Sequence, residues 1–160
     1  AFAKGKLDAI VTWEPFISQA VNQGGHKIFD TSEIQGLSPA GIVFHRRFIE
    51  QRPDDVQAYI NVWNKTTRYI KQYPQEAFAL IAELYNTTIE NVESMARIDK
   101  ILGFQENLTA FTYAAGVESL YGSFSKMNQF MIENGMAKKR LDSAESLDDR
   151  FIQALRWHVE

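Results

Sequence analysis

The sequence predicts an α/β fold that is rich in helices and contains a few short strands. Residues 7–13 form an almost continuous apolar run, which is typical of a strand buried on both faces of a parallel sheet. From Pro53 onward, apolar residues recur at steps of three and four, which is the spacing of one helix face. With 160 residues, 45% of them hydrophobic and 23% charged, the chain is long and apolar enough to build a core.

The N-terminal part is predicted to alternate between helices and strands. Residues 1–4 are predicted as the last turn of a helix, because Gly5 suits the position just after a helix C-terminus. Pro15 suits the first position of a second helix, which Gly24 and Gly25 end. The predicted apolar face of that helix consists of Phe16, Ile17, Ala20 and Val21. Two more short strands are expected at residues 26–30 and 41–45, with a connector over residues 31–39.

The remainder of the chain is predicted to be helical. Pro53 opens a helix that closes before Pro74, with an apolar stripe at Val56, Tyr59, Ile60, Trp63, Thr67 and Ile70. The next helix is predicted to turn Phe78, Ile81, Leu84 and Tyr85 inward. Thr87 and Glu90 have the spacing of a capping box for a third helix, which carries Val92 and Met95.

Two further helices are expected near the C-terminus. The first carries Val117, Leu120, Phe124, Met127 and Met131 and ends at Gly135. The second is capped by Ser146 and turns Phe151, Ile152 and Leu155 inward. The aromatic side chains at these helical spacings, including Tyr59, Trp63, Phe78 and Phe124, are most simply interpreted as core residues.

We expect the chain to be part of a longer protein. Residues 1–4 have the pattern of a helix end whose body is missing, and domains rarely start within a helix. Three short strands also cannot form a sheet broad enough to cover so many apolar helix faces. Such a fragment would expose an apolar face and tend to associate or to swap domains.

Composition and motifs exclude several classes of function. The chain has no cysteine, so disulfides, thiol catalysis and cysteine–metal sites are excluded. Its net charge is −3 and its only basic cluster is residues 138–140, which disfavours nucleic-acid binding. His26, His45 and His158 share no metal-ligand spacing, and no nucleotide-binding or nucleophile motif occurs. We therefore expect neither a metal nor another cofactor.

The segment with the most chemical content is Thr12, Trp13 and Glu14, followed by Pro15. It lies where a predicted buried strand ends and a predicted helix begins, and ligands of α/β sheets bind at such places. Trp13 could form a flat wall for a small ligand. In the alternative interpretation, Trp13 is a core residue and Glu14 only complements the helix dipole. Glu14 would compete with a bound anion unless it points away or meets an amine on the ligand.

Residues 5–16, with the sequence GKLDAIVTWEPF, resemble the G-x-x-D-A-x-x-x-W-E-P stretch of ABC-transporter substrate-binding proteins of the nitrate/sulfonate/taurine type. That group also includes binders of pyrimidine precursors. The resemblance continues through residues 29–34 and Gly36, then 48–58, then 69–72 and 74–77, and fades toward the C-terminus. The order and spacing of these segments make the resemblance fairly specific.

The resemblance implies a two-lobed periplasmic-binding-protein fold of type II, of which this chain is the helix-rich C-terminal part. Residues 1–35 would then be a remnant of the second lobe, and residues 36–160 the C-terminal part of the first lobe, with the crossover at 31–39. The implied function is binding of a small acidic or zwitterionic solute for an ABC importer, with Thr12, Trp13 and Glu14 at the ligand. The implied partners are the solute and the membrane subunits of the transporter.

Two other functions remain open from the sequence. The same fold serves as an extracellular sensing domain of signalling proteins. It also occurs in an enzyme of pyrimidine synthesis, but that enzyme is said to use a histidine and cysteines, and cysteine is absent here. The resemblance therefore implies a binding protein and not an enzyme, located in the periplasm or at the extracellular face, free or membrane-anchored.

Overall fold

The computed structural model describes residues 2–14, 16–34 and 36–157, and the regular structure within them is helical. A 3-10 turn at Phe2–Lys4 comes first, and further 3-10 turns lie at Thr31–Glu33 and Leu155–Trp157. The α-helices are α1 (Phe16–Asn22), α2 (Arg46–Gln51), α3 (Pro53–Gln72), α4 (Pro74–Leu84), α5 (Ile89–Ile98), α6 (Phe104–Ala110), α7 (Leu120–Glu133), α8 (Ser143–Ser146) and α9 (Arg150–Ala154). No helix in these ranges is long and apolar enough to cross a membrane.

The core lies around α3, which contacts α2, α4 and α9, while α4 packs against α5 and α6 packs against α9. Its buried apolar side chains are Val56, Ala77, Ala82, Val92, Ile152 and Leu155. They come from α3, α4, α5, α9 and the turn after α9, so residues far apart in the sequence close the core. The helix α7 packs against α8 instead.

Prolines set the boundaries of the longest helices, as the sequence predicted. Pro53 stands at the start of α3 and Pro74 at the start of α4, where a missing N–H group costs nothing. Asp54 and Asp55 lie in the first turn of α3 and complement its dipole. Gly135 follows the end of α7 with a φ of +69°, which confirms the predicted end of that helix. Gly5 likewise has a φ of +63° after the Phe2–Lys4 turn.

The predicted strands at residues 7–13, 26–30 and 41–45 are wrong for this structure, which has no strand in the described ranges. A strand needs a neighbour to complete its ladder of backbone hydrogen bonds, and none of these segments pairs with another. Each segment instead turns one β-branched side chain almost fully to solvent: Val11, Ile28 and Val43 are 104%, 91% and 91% exposed. The α/β part of the predicted fold class is corrected accordingly, and its richness in helices is confirmed.

Packing of Phe44 explains how the segment 41–45 is held without a strand partner. Its ring stacks on Phe48 of α2, with the ring centres 6.0 Å apart, and meets the edge of Tyr59 of α3 at 5.6 Å. His45 then caps α2, because its Nδ1 accepts a hydrogen bond from the backbone N–H of Arg47 over 3.1 Å. This short helix was not predicted, since its 6 residues are too few to show a periodic apolar face and histidine is an uncommon N-cap.

Several predicted details of the helices are also corrected. Leu84 and Tyr85 do not face inward but are 78% and 73% exposed, because α4 ends at Leu84. Tyr59 and Trp63 were interpreted as core residues, yet both remain exposed at 48% and 37%. The predicted face of α1 is not buried, since no residue of that helix is. Pro15 lies outside the described residues.

Three predicted helix starts are displaced. The cap of α5 is Thr88 and not Thr87, because the Thr88 hydroxyl accepts from the N–H of Asn91 over 3.2 Å. The helix α7 begins after Ser119, so Val117 precedes it. Ser146 is the last residue of α8, which Asp142 caps. It does not cap the next helix, because α9 begins only after Asp149.

Candidate functional site

The segment Thr12–Trp13–Glu14 forms the turn that leads into α1. The carbonyl of Trp13 accepts hydrogen bonds from the N–H groups of Phe16 and Ile17, over 2.9 and 3.2 Å. These bonds fix the direction in which the chain enters the helix. Thr12 is half-buried, so part of its surface stays accessible.

Trp13 is 71% exposed, so it is not a core residue of the described structure. Its indole meets the ring of Phe16 edge to face, with the ring centres 6.2 Å apart. This contact with α1 orients the indole while leaving most of its surface uncovered. An exposed and oriented indole can cover the apolar part of a small ligand.

Glu14 turns back onto the start of α1. Its Oε2 accepts hydrogen bonds from the Oγ of Ser18 over 2.8 Å and from the Ser18 N–H over 3.2 Å. A carboxylate at this place satisfies an N–H group that the helix leaves unpaired and complements the helix dipole. Glu14 therefore takes up donors at the start of the helix, while its competition with a ligand anion stays a prediction.

A second charged group, the pair of Lys27 and Asp30, is electrostatically linked to this turn. Asp30 accepts hydrogen bonds from the Lys27 ammonium and from the side chain and N–H of Ser32. These bonds lower the pKa of Asp30 to about 2. The pKa of Lys27 is raised, mainly by Asp30 and to a smaller extent by the charges of Glu33 and Glu14. The charge of Glu14 is the smallest of these effects on the pKa of Lys27.

A cavity of about 510 Å³ lies elsewhere, against α7, and none of Thr12, Trp13 and Glu14 lines it. Its wall includes Tyr113, Tyr121, Lys126 and Arg140. The sequence did not predict this cavity, and of the basic residues 138–140 only Arg140 lines it. No group of three or more His, Asp or Glu side chains that could hold a metal ion occurs within residues 2–14, 16–34 and 36–157.

Comparison with known proteins identifies the family. The model of the NMT1-like family matches residues 1–86, which is more than half of the chain and includes the turn at Trp13. The chain therefore belongs to the NMT1-like family. The resemblance to substrate-binding proteins of the nitrate/sulfonate/taurine type is confirmed at the level of the family.

One curated relative is a protein of Bacillus subtilis (strain 168) that is named as an aliphatic sulfonates-binding protein. It is 34% identical over 96 residues, which are 58% of this chain and 29% of the relative. The chain thus spans less than a third of the length of the relative it matches. No solved structure matches the chain.

Proposed function

We propose that this chain is part of the solute-binding component of an ABC importer. Its membership of the NMT1-like family over residues 1–86 carries this proposal. The name of the Bacillus relative makes an aliphatic sulfonate, a class that includes taurine, the first candidate for the solute, followed by nitrate. The protein acts by binding and not by catalysis, in the periplasm or at the extracellular face, and delivers its solute to the membrane subunits of the transporter.

Thr12, Trp13 and Glu14 line the cleft between two lobes in this proposal, with residues 1–35 in the second lobe and residues 36–160 in the first. The indole of Trp13 is 71% exposed and covers the apolar part of the solute. The Oγ and N–H of Ser18, which now bind Glu14, are the donors for the acidic group. Glu14 then turns toward an amine of the solute, where one is present.

The test is binding of alkanesulfonate, taurine and nitrate to the natural full-length protein, measured by isothermal titration calorimetry. Replacing Trp13 with Ala is expected to raise the dissociation constant about tenfold or more, equivalent to roughly 1.4 kcal/mol, in a protein that stays folded. Tyr85→Ala is the matched control, because Tyr85 is an aromatic residue that is 73% exposed but lies at the end of α4. An unchanged dissociation constant in folded Trp13→Ala would overturn the site.

The role of Glu14 is tested with two solutes that differ in an amine. Glu14→Gln is expected to weaken binding of taurine, which carries an ammonium group, more than binding of an alkanesulfonate without one, because only taurine would lose a charge-assisted partner. An equal effect on both solutes would show that Glu14 serves only the start of α1. If neither the natural full-length protein nor its Glu14→Gln variant binds any solute of the panel, the proposed function itself fails.

A further inference from the structure

The cavity beside α7 lies where residues 140–142, just before α8, are hydrogen-bonded to α7. Asn128 of α7 is only 6% exposed and holds the backbone of Leu141 from both sides. Its Nδ2 donates to the carbonyl of Leu141 over 3.0 Å, and its Oδ1 accepts from the Leu141 N–H over 3.4 Å. Leu141 is therefore fixed to α7, and this also positions its neighbours Arg140 and Asp142.

Arg140, on one side of Leu141, is positioned by a hydroxyl group instead of a carboxylate. Its Nη2 donates to the Oγ of Ser125 over 2.6 Å. Lys126, the next residue of α7, lines the same cavity. In the described ranges, no carboxylate lies within ion-pair distance of either Arg140 or Lys126.

Asp142, on the other side of Leu141, is the acidic residue of the cavity wall. Its Oδ1 is occupied by the N–H of Ala144, over 2.8 Å, because Asp142 caps α8. The wall thus carries two cations against one carboxylate, and the carboxylate has another partner. The residues of the wall therefore sum to one positive charge, while Asp148, which is paired with Arg150, and Asp149 lie outside the wall.

Two tyrosines complete the wall. The rings of Tyr113 and Tyr121 lie 5.2 Å apart at an angle of 54°. Burial and the charges of Asp148 and Asp149 raise the pKa of Tyr121, so its hydroxyl stays protonated at neutral pH and can donate. The cavity is open to solvent on the side of Tyr113, which is 81% exposed, and its volume of about 510 Å³ lies within the range of roughly 300–1,000 Å³ that small-molecule sites have.

We propose that this cavity is a binding site for a small oxyanion of the phosphate class, held by Arg140 and Lys126. The guanidinium group of arginine matches the oxygens of phosphate, and Lys126 adds a second positive charge. The hydroxyls of Ser125 and Tyr121 supply further donors in the same wall. The site lies beyond residues 1–86 and does not depend on the solute site at Trp13.

The experiment is a titration of the natural full-length protein with inorganic phosphate, in which binding is monitored by the chemical shifts of backbone amides in NMR spectra. Saturable shifts are expected at Ser125, Asn128 and Leu141, and Arg140→Gln is expected to weaken the binding tenfold or more. Lys139→Gln is the matched control, because it removes the same charge next to Arg140 but does not line the cavity. Lys126→Gln tests the second cation and is expected to weaken binding as well.

Three outcomes would overturn the site. Equal weakening by Arg140→Gln and Lys139→Gln would show diffuse attraction by the basic residues 138–140. Shifts at other places would show a different site, and the absence of saturable shifts would show that phosphate does not bind. Trp13→Ala is expected to leave phosphate binding unchanged, and Arg140→Gln to leave solute binding unchanged, so this proposal and the proposed function can fail separately.

Discussion

At Gly36, the backbone comes so close to the segment before α7 that a side chain does not fit. A Cβ at this position would lie 1.9 Å from the carbonyl oxygen of Val117, and the φ of Gly36 is +84°. The carbonyl of Gly36 also accepts a hydrogen bond from the Oγ of Ser123 over 2.8 Å. Ser123 is buried, so this bond joins the segment 31–39 to α7 at a place that excludes water.

Gly36→Ala is therefore expected to destabilise the protein. The positive φ alone costs about 1–3 kcal/mol for a residue with a side chain, and the clash with Val117 adds to that cost. Gly41→Ala is the matched control, because no atom lies within 4 Å of its Cβ position. The free energy of unfolding in urea measures both variants, and equal stability of the two would contradict the close approach.

The two candidate sites, the turn at Trp13 and the cavity beside α7, differ in how well they can be predicted from the sequence. The sequence singles out the turn at Trp13 because its residues are adjacent and follow an apolar run. It does not single out the cavity beside α7, because that cavity depends on Asn128 reaching Leu141 and on Arg140 reaching Ser125 fifteen residues away. Neither contact leaves a periodic pattern in the sequence, so nothing in the sequence indicated the second site.

At the scale of elements, α3 organises the core. Val56 is 1% exposed and contributes the apolar side that meets the neighbouring helices, whereas Val62 of the same helix is 62% exposed. Val56→Ala is expected to lower the free energy of unfolding by about 1.5–3 kcal/mol, because it removes buried methyl groups and leaves a cavity. Val62→Ala is expected to change it by less than about 0.5 kcal/mol. Similar losses in urea unfolding would contradict the assigned face of α3.

Helices were more predictable than strands for a physical reason. A helix closes its hydrogen bonds within itself, so Pro53, Pro74 and the apolar spacing were enough to predict α3 and its end. A strand needs a second strand for its backbone hydrogen bonds. The apolar run at residues 7–13 indicates a preference for extended backbone, but it does not identify a partner strand. The short helices α2 and α6 were missed because each has too few residues to show a periodic face.

At the scale of the whole molecule, the chain exposes far more surface than a compact protein of its mass. Its accessible area is 12507 Å², against roughly 8,100 Å² expected for a folded monomer of 18.3 kDa. Large apolar side chains such as Val11, Ile28 and Val43 contribute to this surface. A surface of this kind is typical of a chain that is covered by other protein segments.

We therefore expect the isolated chain to associate. Analytical ultracentrifugation over a range of protein concentrations should show species larger than 18.3 kDa, with a share that rises with concentration. Association follows because burying apolar surface between copies is favourable. A monomer at all concentrations, with one cooperative unfolding transition, would contradict the expectation.

A crystal structure of the natural full-length protein with an alkanesulfonate would show whether the turn at Trp13 binds the solute. We expect carbon atoms of the solute to lie within about 4.5 Å of the Trp13 indole, which is ordinary apolar contact. We also expect the sulfonate oxygens to accept hydrogen bonds at Ser18, in the place that Glu14 now occupies. A bound sulfonate that touches neither residue, with Trp13 covered by other parts of the protein, would contradict the proposed site.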